Sequence, residues 1–122
     1  MKMRIKGSSL RLRLTQKEVA LLRDCGRVEA LVQFSLGHAL VYLLEGSSHA
    51  KSVTAVFDGR TIRVAVPEQV MTEWAQGDGV SIEGKSEAGL QLLIEKDFQC
   101  LHKPGDRDAY PHPLTCEPDE LR

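Results

Sequence analysis

Residues 53–84 read VTAVFDGRTIRVAVPEQVMTEWAQGDGVSIEG, and the order of patterns along them decides the fold. Asp58-Gly59 signals a type I′ turn between two short strands. Beyond it, Ile62, Val64 and Val66 alternate with Arg63 and Ala65, the period of two that marks a strand with one buried face. Pro67 stands in the first turn of a helix, where its fixed φ is favoured. Trp74 lies on that helix's apolar face with Val70, a core position rather than a ligand platform. Gly77-Asp78-Gly79 closes the helix, and strands are predicted over Val80–Gly84 and Gly89–Lys96.

The same plan occurs 52 residues earlier. Gly59 falls on Gly7, Ile62 on Leu10, Arg63 on Arg11, Val64 on Leu12, Val66 on Leu14, Trp74 on Leu22 and Leu92 on Leu40. In this first unit Met1, Met3 and Ile5 alternate with Lys2, Arg4 and Lys6, and Leu10, Leu12 and Leu14 alternate with Arg11 and Arg13. A two-residue turn at Lys6-Gly7 pairs Met3 with Leu10 and Lys2 with Arg11, leaving every apolar side chain on one buried face. Thr15 with Glu18 forms a capping box, Leu14 and Val19 are placed as a hydrophobic staple, and Gly26 ends the helix in a left-handed conformation. A third strand runs over Val28–Phe34, and a fourth over residues 39–45 is apolar enough to be buried on both faces.

These patterns predict an α+β fold, mostly β: a barrel-like domain of two tandem ββαββ units with two short helices. The core spans residues 1–96, with internal repeats at about 1–48 and 53–96. Residues 97–122 form a C-terminal extension packed on that core, with a frayed end. The competing reading is a single α+β domain whose similar units arose from common local rules.

The run GRTIRVAVPEQVMTEWAQGDGVSIEG, residues 59–84, resembles the swapped-hairpin unit of AbrB-type regulators and MazE-type antitoxins. That resemblance implies interleaved hairpins, here within one chain, and DNA contact through basic residues. The whole sequence also resembles a set of small bacterial proteins of uncharacterised function. They share the opening MRIKGSSLRLRLT, a later EKDF-CL and a downstream Tyr/Phe-Pro-x-Pro. This second resemblance implies a bacterial, cytoplasmic, single-domain protein and no particular activity.

With 122 residues, 42% hydrophobic and 27% charged, the chain is long enough to fold without a metal or disulfide. Net charge is −1, so no bulk field favours nucleic acid or anionic lipid. The distribution is uneven. Residues 1–27 hold eight Lys and Arg against Glu18 and Asp24, a net +6, which leaves −7 for the rest. No signal peptide is apparent, the longest apolar run is only Ala39–Leu44, and three cysteines form no disulfide framework. A reducing cytoplasm and no membrane partner are therefore expected.

Three constellations offer chemistry. Lys2, Arg4, Arg11 and Arg13 share the outer face of the first hairpin, where like charges across a ladder are destabilising. An anionic ligand, solvent and salt, or acids on neighbouring strands must offset them, and Glu29, Glu45, Glu83 and Glu95 are placed to do so. Phosphate contact is the sharp reading of this face. Against it stand Thr54 and Val56, which replace Lys2 and Arg4 in the second unit, and the lack of interleaved aromatics.

Cys100, His102, His112 and Cys116 supply a zinc ligand count, although Cys-x-His is not a standard knuckle. The alternatives are a tail anchored by Phe98, Leu101, Tyr110 and Leu114, with Cys100 as a small buried hydrophobe, or a thiol activated by His102 or His112. No oxyanion hole, phosphate loop or carboxylate pair accompanies that thiol, and His38 and His49 carry no motif. The sequence thus points to a non-enzymatic binding or regulatory module with no resident cofactor unless zinc. Its partner is another protein, an anionic ligand or nucleic acid.

Overall fold

The computed structural model describes residues 1–98, and its elements run through one order twice. The first pass is β1 (Lys2–Lys6), β2 (Ser9–Leu14), α1 (Gln16–Cys25), β3 (Arg27–Ser35) and β4 (His38–Ser47). The second is β5 (Thr54–Phe57), β6 (Thr61–Pro67), α2 (Glu68–Gln76), β7 (Ser81–Lys85) and β8 (Gln91–Lys96). The fold is α+β and mostly β. Its strands form two four-stranded sheets, ordered β1-β2-β8-β7 and β3-β4-β6-β5, rather than one closed barrel. Each sheet therefore takes one hairpin from each half of the chain. The hairpins are antiparallel, and the halves join through the parallel pairs β2–β8 and β4–β6.

The hairpin registers correspond between halves. Lys2 pairs with Arg13 as Thr54 pairs with Ala65, and Glu29 pairs with Leu43 as Ser81 pairs with Glu95; each residue is 52 positions from its counterpart. The parallel junctions differ. Val41 pairs with Thr61, yet Leu93 pairs with Arg11 rather than with Ser9, the counterpart of Thr61. A slip of two residues keeps every side chain on its face, because the strand period is two.

The first hairpin turns one residue later than the sequence suggests. Gly7 and Ser8 are the turn residues, so Lys2 lies across from Arg13 and Arg4 across from Arg11, not Lys2 from Arg11. Gly7 has φ 57°, which a primed turn demands at its first central position and which lysine would resist. In β5–β6 the turn likewise centres on Gly59-Arg60. Asp58 keeps a negative φ, and its Oδ1 accepts from the Arg60 and Thr61 N–H groups, so it braces the turn as an Asx residue rather than forming a type I′ corner.

Both helices follow strands that run into the core. Thr15 caps α1 with the expected capping box, and Gly26 ends it at φ 78°. Helix α2 starts after Pro67 with no side-chain cap and stops at an extended Gly77. Its buried residues are Met71 and Trp74; Val70 is exposed, one position round from the face that meets the core.

Leu10, Leu12, Leu14, Leu92 and Ile94 of one sheet meet Val28, Leu44, Val64 and Val66 of the other, with Leu22, Met71 and Trp74 packed at the helix end. No charged or polar residue is buried among the described residues. On β4 both faces are buried only at Leu43 and Leu44; the remainder is partly buried or exposed. Because β2 and β6 lead into the helices, all four hairpin turns sit together at the opposite end. Tyr42 ties the two sheets by donating its hydroxyl to the Met1 carbonyl at 2.7 Å.

Candidate binding surfaces

The four cations singled out from the sequence do come together. Lys2 and Arg4 on β1 face Arg13 and Arg11 on β2, and all four line a depression of about 430 Å³ with Met1, Met3 and Tyr42. Their repulsion is offset from the neighbouring strand. Glu95 on β8 is the direct ladder partner of Arg13 and accepts from its Nε and Nη2 at 3.1 and 2.8 Å. The same carboxylate lies 3.6 Å from Arg11 Nε, and Asp97 lies 3.9 Å from Lys2 Nζ. Of the four acids named as candidates, Glu95 meets this face. Glu45 instead pairs with Arg63 in the other sheet at 3.1 Å, and Glu29 with Arg27 at 3.1 Å. Two carboxylates thus stand against four cations.

The N-terminal amine contributes at the edge of this surface. It forms an ion pair with Glu18, whose other oxygen accepts from the Thr15 N–H at 2.9 Å. Burial pushes the Glu18 carboxyl up, but the amine and the Thr15 backbone outweigh it and hold the group below the ordinary carboxylate range. Asp58 is held low by the backbone N–H groups of Thr61 and Arg60.

A second surface escaped the sequence reading. At the hairpin end the two sheets part around an apolar mouth of about 350 Å³, lined by Ile5, Leu10, Leu40, Phe57, Ile62 and Leu90 among others. Ser9 is the lone polar residue of that lining. Ile5 and Phe57, expected to lie on buried faces, are each 62% exposed. Both occupy the last inward position before a turn, 52 residues apart, where the strands outrun the core. The signal in the sequence was this pair of large apolar residues next to turn glycines. Burial pattern alone assigns them inward without saying whether anything meets them.

A groove of about 580 Å³ lies at the helix end, lined by Leu14, Val19, Ala20, Ala75 and Phe98 among others. Lys96 borders it, with its ammonium 5.3 Å from the Trp74 ring centroid and donating to the Gly77 carbonyl at 2.9 Å. Trp74 is thus core, as expected, with its Nε1 left without a partner among the described residues. His38 sits beside the β3–β4 turn, near Ser35 and the Leu36 carbonyl. Cys25 is exposed and free. The zinc candidates Cys100, His102, His112 and Cys116 lie outside the described residues, as do Leu101, Tyr110 and Leu114.

A family of unknown function, DUF7009, matches residues 1–114. The chain belongs to DUF7009. The match takes in both halves, both helices and most of the segment that carries the cysteine and histidine cluster. This places the sequence among the small proteins of uncharacterised function that it resembles. No curated protein and no solved structure matches this DUF7009 member. Among the described residues, no helix is long and apolar enough to cross a membrane.

Proposed function

We propose that this DUF7009 member is a non-enzymatic binding module that takes an apolar group of another protein into the mouth between its hairpin tips. One observation carries the reading: Ile5 and Phe57 flank a nearly all-apolar opening while remaining 62% exposed. Apolar side chains gathered around a concavity and left in water favour occupation by another apolar surface. Duplication of a ββαββ unit accounts for the mouth's symmetry, since it would place Ile5 and Phe57 as counterparts, and the matching hairpin registers support that origin. We infer a bacterial cytoplasmic setting, in which the exposed Cys25 stays a free thiol.

Titration with the apolar fluorophore 8-anilinonaphthalene-1-sulfonate tests the mouth. The parent protein should enhance its emission, and an Ile5→Ser/Phe57→Ser variant should lose most of that enhancement with little change in melting temperature. Undiminished enhancement in the folded variant would reject the assignment.

A second reading has its own support. The AbrB-type resemblance implies DNA contact through basic residues, and Lys2, Arg4, Arg11 and Arg13 face outward together. Arg4 has no ion pair among the described residues. Retention on heparin that disappears in moderate salt, and in an Arg4→Ala/Arg11→Ala variant, supports phosphate contact. Flow-through at low salt rejects it.

A further inference from the structure

Four strands form the edges of the two sheets: β1, β7, β3 and β5. An open edge offers a row of unpaired backbone groups to any other strand, and proteins blunt such edges by shortness, charge or proline. Three of the four are blunted here. Strand β1 carries Lys2, Arg4 and Lys6 over five residues, β7 carries Glu83 and Lys85 over five, and β5 is only four residues long.

Strand β3 is the exception. It is nine residues long, and from Ala30 to its end it holds no charged residue. The uncharged stretch continues through the turn and along β4 to Leu44. Along the outer half of the hairpin, Leu31, Val32, Phe34 and the turn residue Leu36 are 60%, 37%, 70% and 97% exposed. Leu31 lies on one face of β3 and Val32 and Phe34 on the other, so the strand is apolar on both sides. That is the pattern of a strand inside a sheet, not at its margin.

We propose that β3 pairs with β3 of a second copy of this chain, antiparallel about a twofold axis through Leu31, joining two four-stranded sheets into one of eight. The inference stands on the edge strand and is separate from the mouth. A register centred on Leu31 uses the whole strand. It sets Leu31 against Leu31, Ala30 against Val32 and Val28 against Phe34, while Arg27 and Glu29 meet Ser35 and Gln33, so no like charges oppose. At ~150–200 Å² per large apolar residue, the four exposed side chains offer roughly 450 Å² per protomer. Two protomers then bury about 900 Å² before the backbone edge is counted, close to the ~1,000 Å² that a specific interface needs. Because the contact uses the same patch on both copies, it closes at two.

Sedimentation velocity of the full chain, from about 1 μM to 1 mM, tests this. The parent should pass from monomer to dimer in the micromolar range and go no further. Leu31→Lys should be monomeric throughout, since it sets two ammonium groups directly across the twofold axis. Leu31 is already exposed in the monomer, so this variant should keep the parent's melting temperature and its fluorophore response at the mouth. The Ile5→Ser/Phe57→Ser variant should still dimerise. A parent that stays monomeric, an open-ended series of larger species, a dimer that survives Leu31→Lys, or one abolished by the mouth variant would each overturn the proposal.

Discussion

Replacing Glu95 by Gln removes the one carboxylate shared by Arg11 and Arg13 and keeps the side chain's size. Arg13 donates to it at 2.8 and 3.1 Å, and Arg11 approaches to 3.6 Å. Unit charges 4 Å apart attract by ~4 kcal/mol at an effective dielectric of ~20 before desolvation and entropy are charged against them. Both arginines are about a third exposed, so the solvent-screened range of ~0.2–1 kcal/mol per pair applies. Two pairs, with the unmasked repulsion of Arg4 against Arg11 and Lys2 against Arg13, give about 1–2 kcal/mol. For a chain of this size that is a fall of ~3–8 °C in Tm at low salt. The assay is thermal unfolding followed by circular dichroism at several ionic strengths. In ~1 M salt, where the screening length is ~3 Å, the gap between Glu95→Gln and the parent should shrink by half or more. A variant that melts within ~1 °C of the parent at low salt would refute the reasoning. A deficit that salt leaves unchanged would assign the loss to packing rather than charge.

Other perturbations follow from single contacts. A Cβ on Gly84 would sit 2.6 Å from Val53 Cβ, so Gly84→Ala should cost ~1–3 kcal/mol. The double variant Val53→Ala/Gly84→Ala should lose less than the two single losses combined, as denaturant midpoints will show. Thr15→Ala breaks the capping box and should cost ~1 kcal/mol by the same measurement. Glu18 and Asp58 are both held below the ordinary carboxylate range in the folded chain. Their contribution is therefore complete above the unfolded carboxylate pKa of ~4 and is lost as pH falls through the folded values. Stability should drop on acidification, with a shallower slope for Asp58→Asn.

The elements were legible because local rules agreed with one another. Leu10, Leu12 and Leu14 alternate, Thr15 and Glu18 make a cap, and Gly26 ends the helix, so strand, helix and boundary were each specified by several residues. The hairpin registers were less legible. Placing Gly7 at the first rather than the second turn position moves every partner by two residues but leaves each face unchanged, so alternation cannot tell the two apart. The salt bridges to Glu95 were anticipated as one of four acids, and only the β2–β8 register selects it. The mouth was not legible. Ile5 and Phe57 obey the same period as Leu12 and Val64, and their exposure depends on how far the hairpins extend past the opposing sheet. Val70 was misplaced for a similar reason: Trp74 has apolar neighbours three and four positions before it, and tertiary packing chose Met71.

The central claim is that the hairpin end is an open apolar site. Methyl-resolved NMR of the full chain, titrated with the apolar fluorophore, reads it directly. Saturable shifts confined to Ile5, Leu40, Ile62 and Leu90 are the expected result. Shifts centred instead on Leu14, Val19 and Ala20 at the helix end, with those four unmoved, would contradict it.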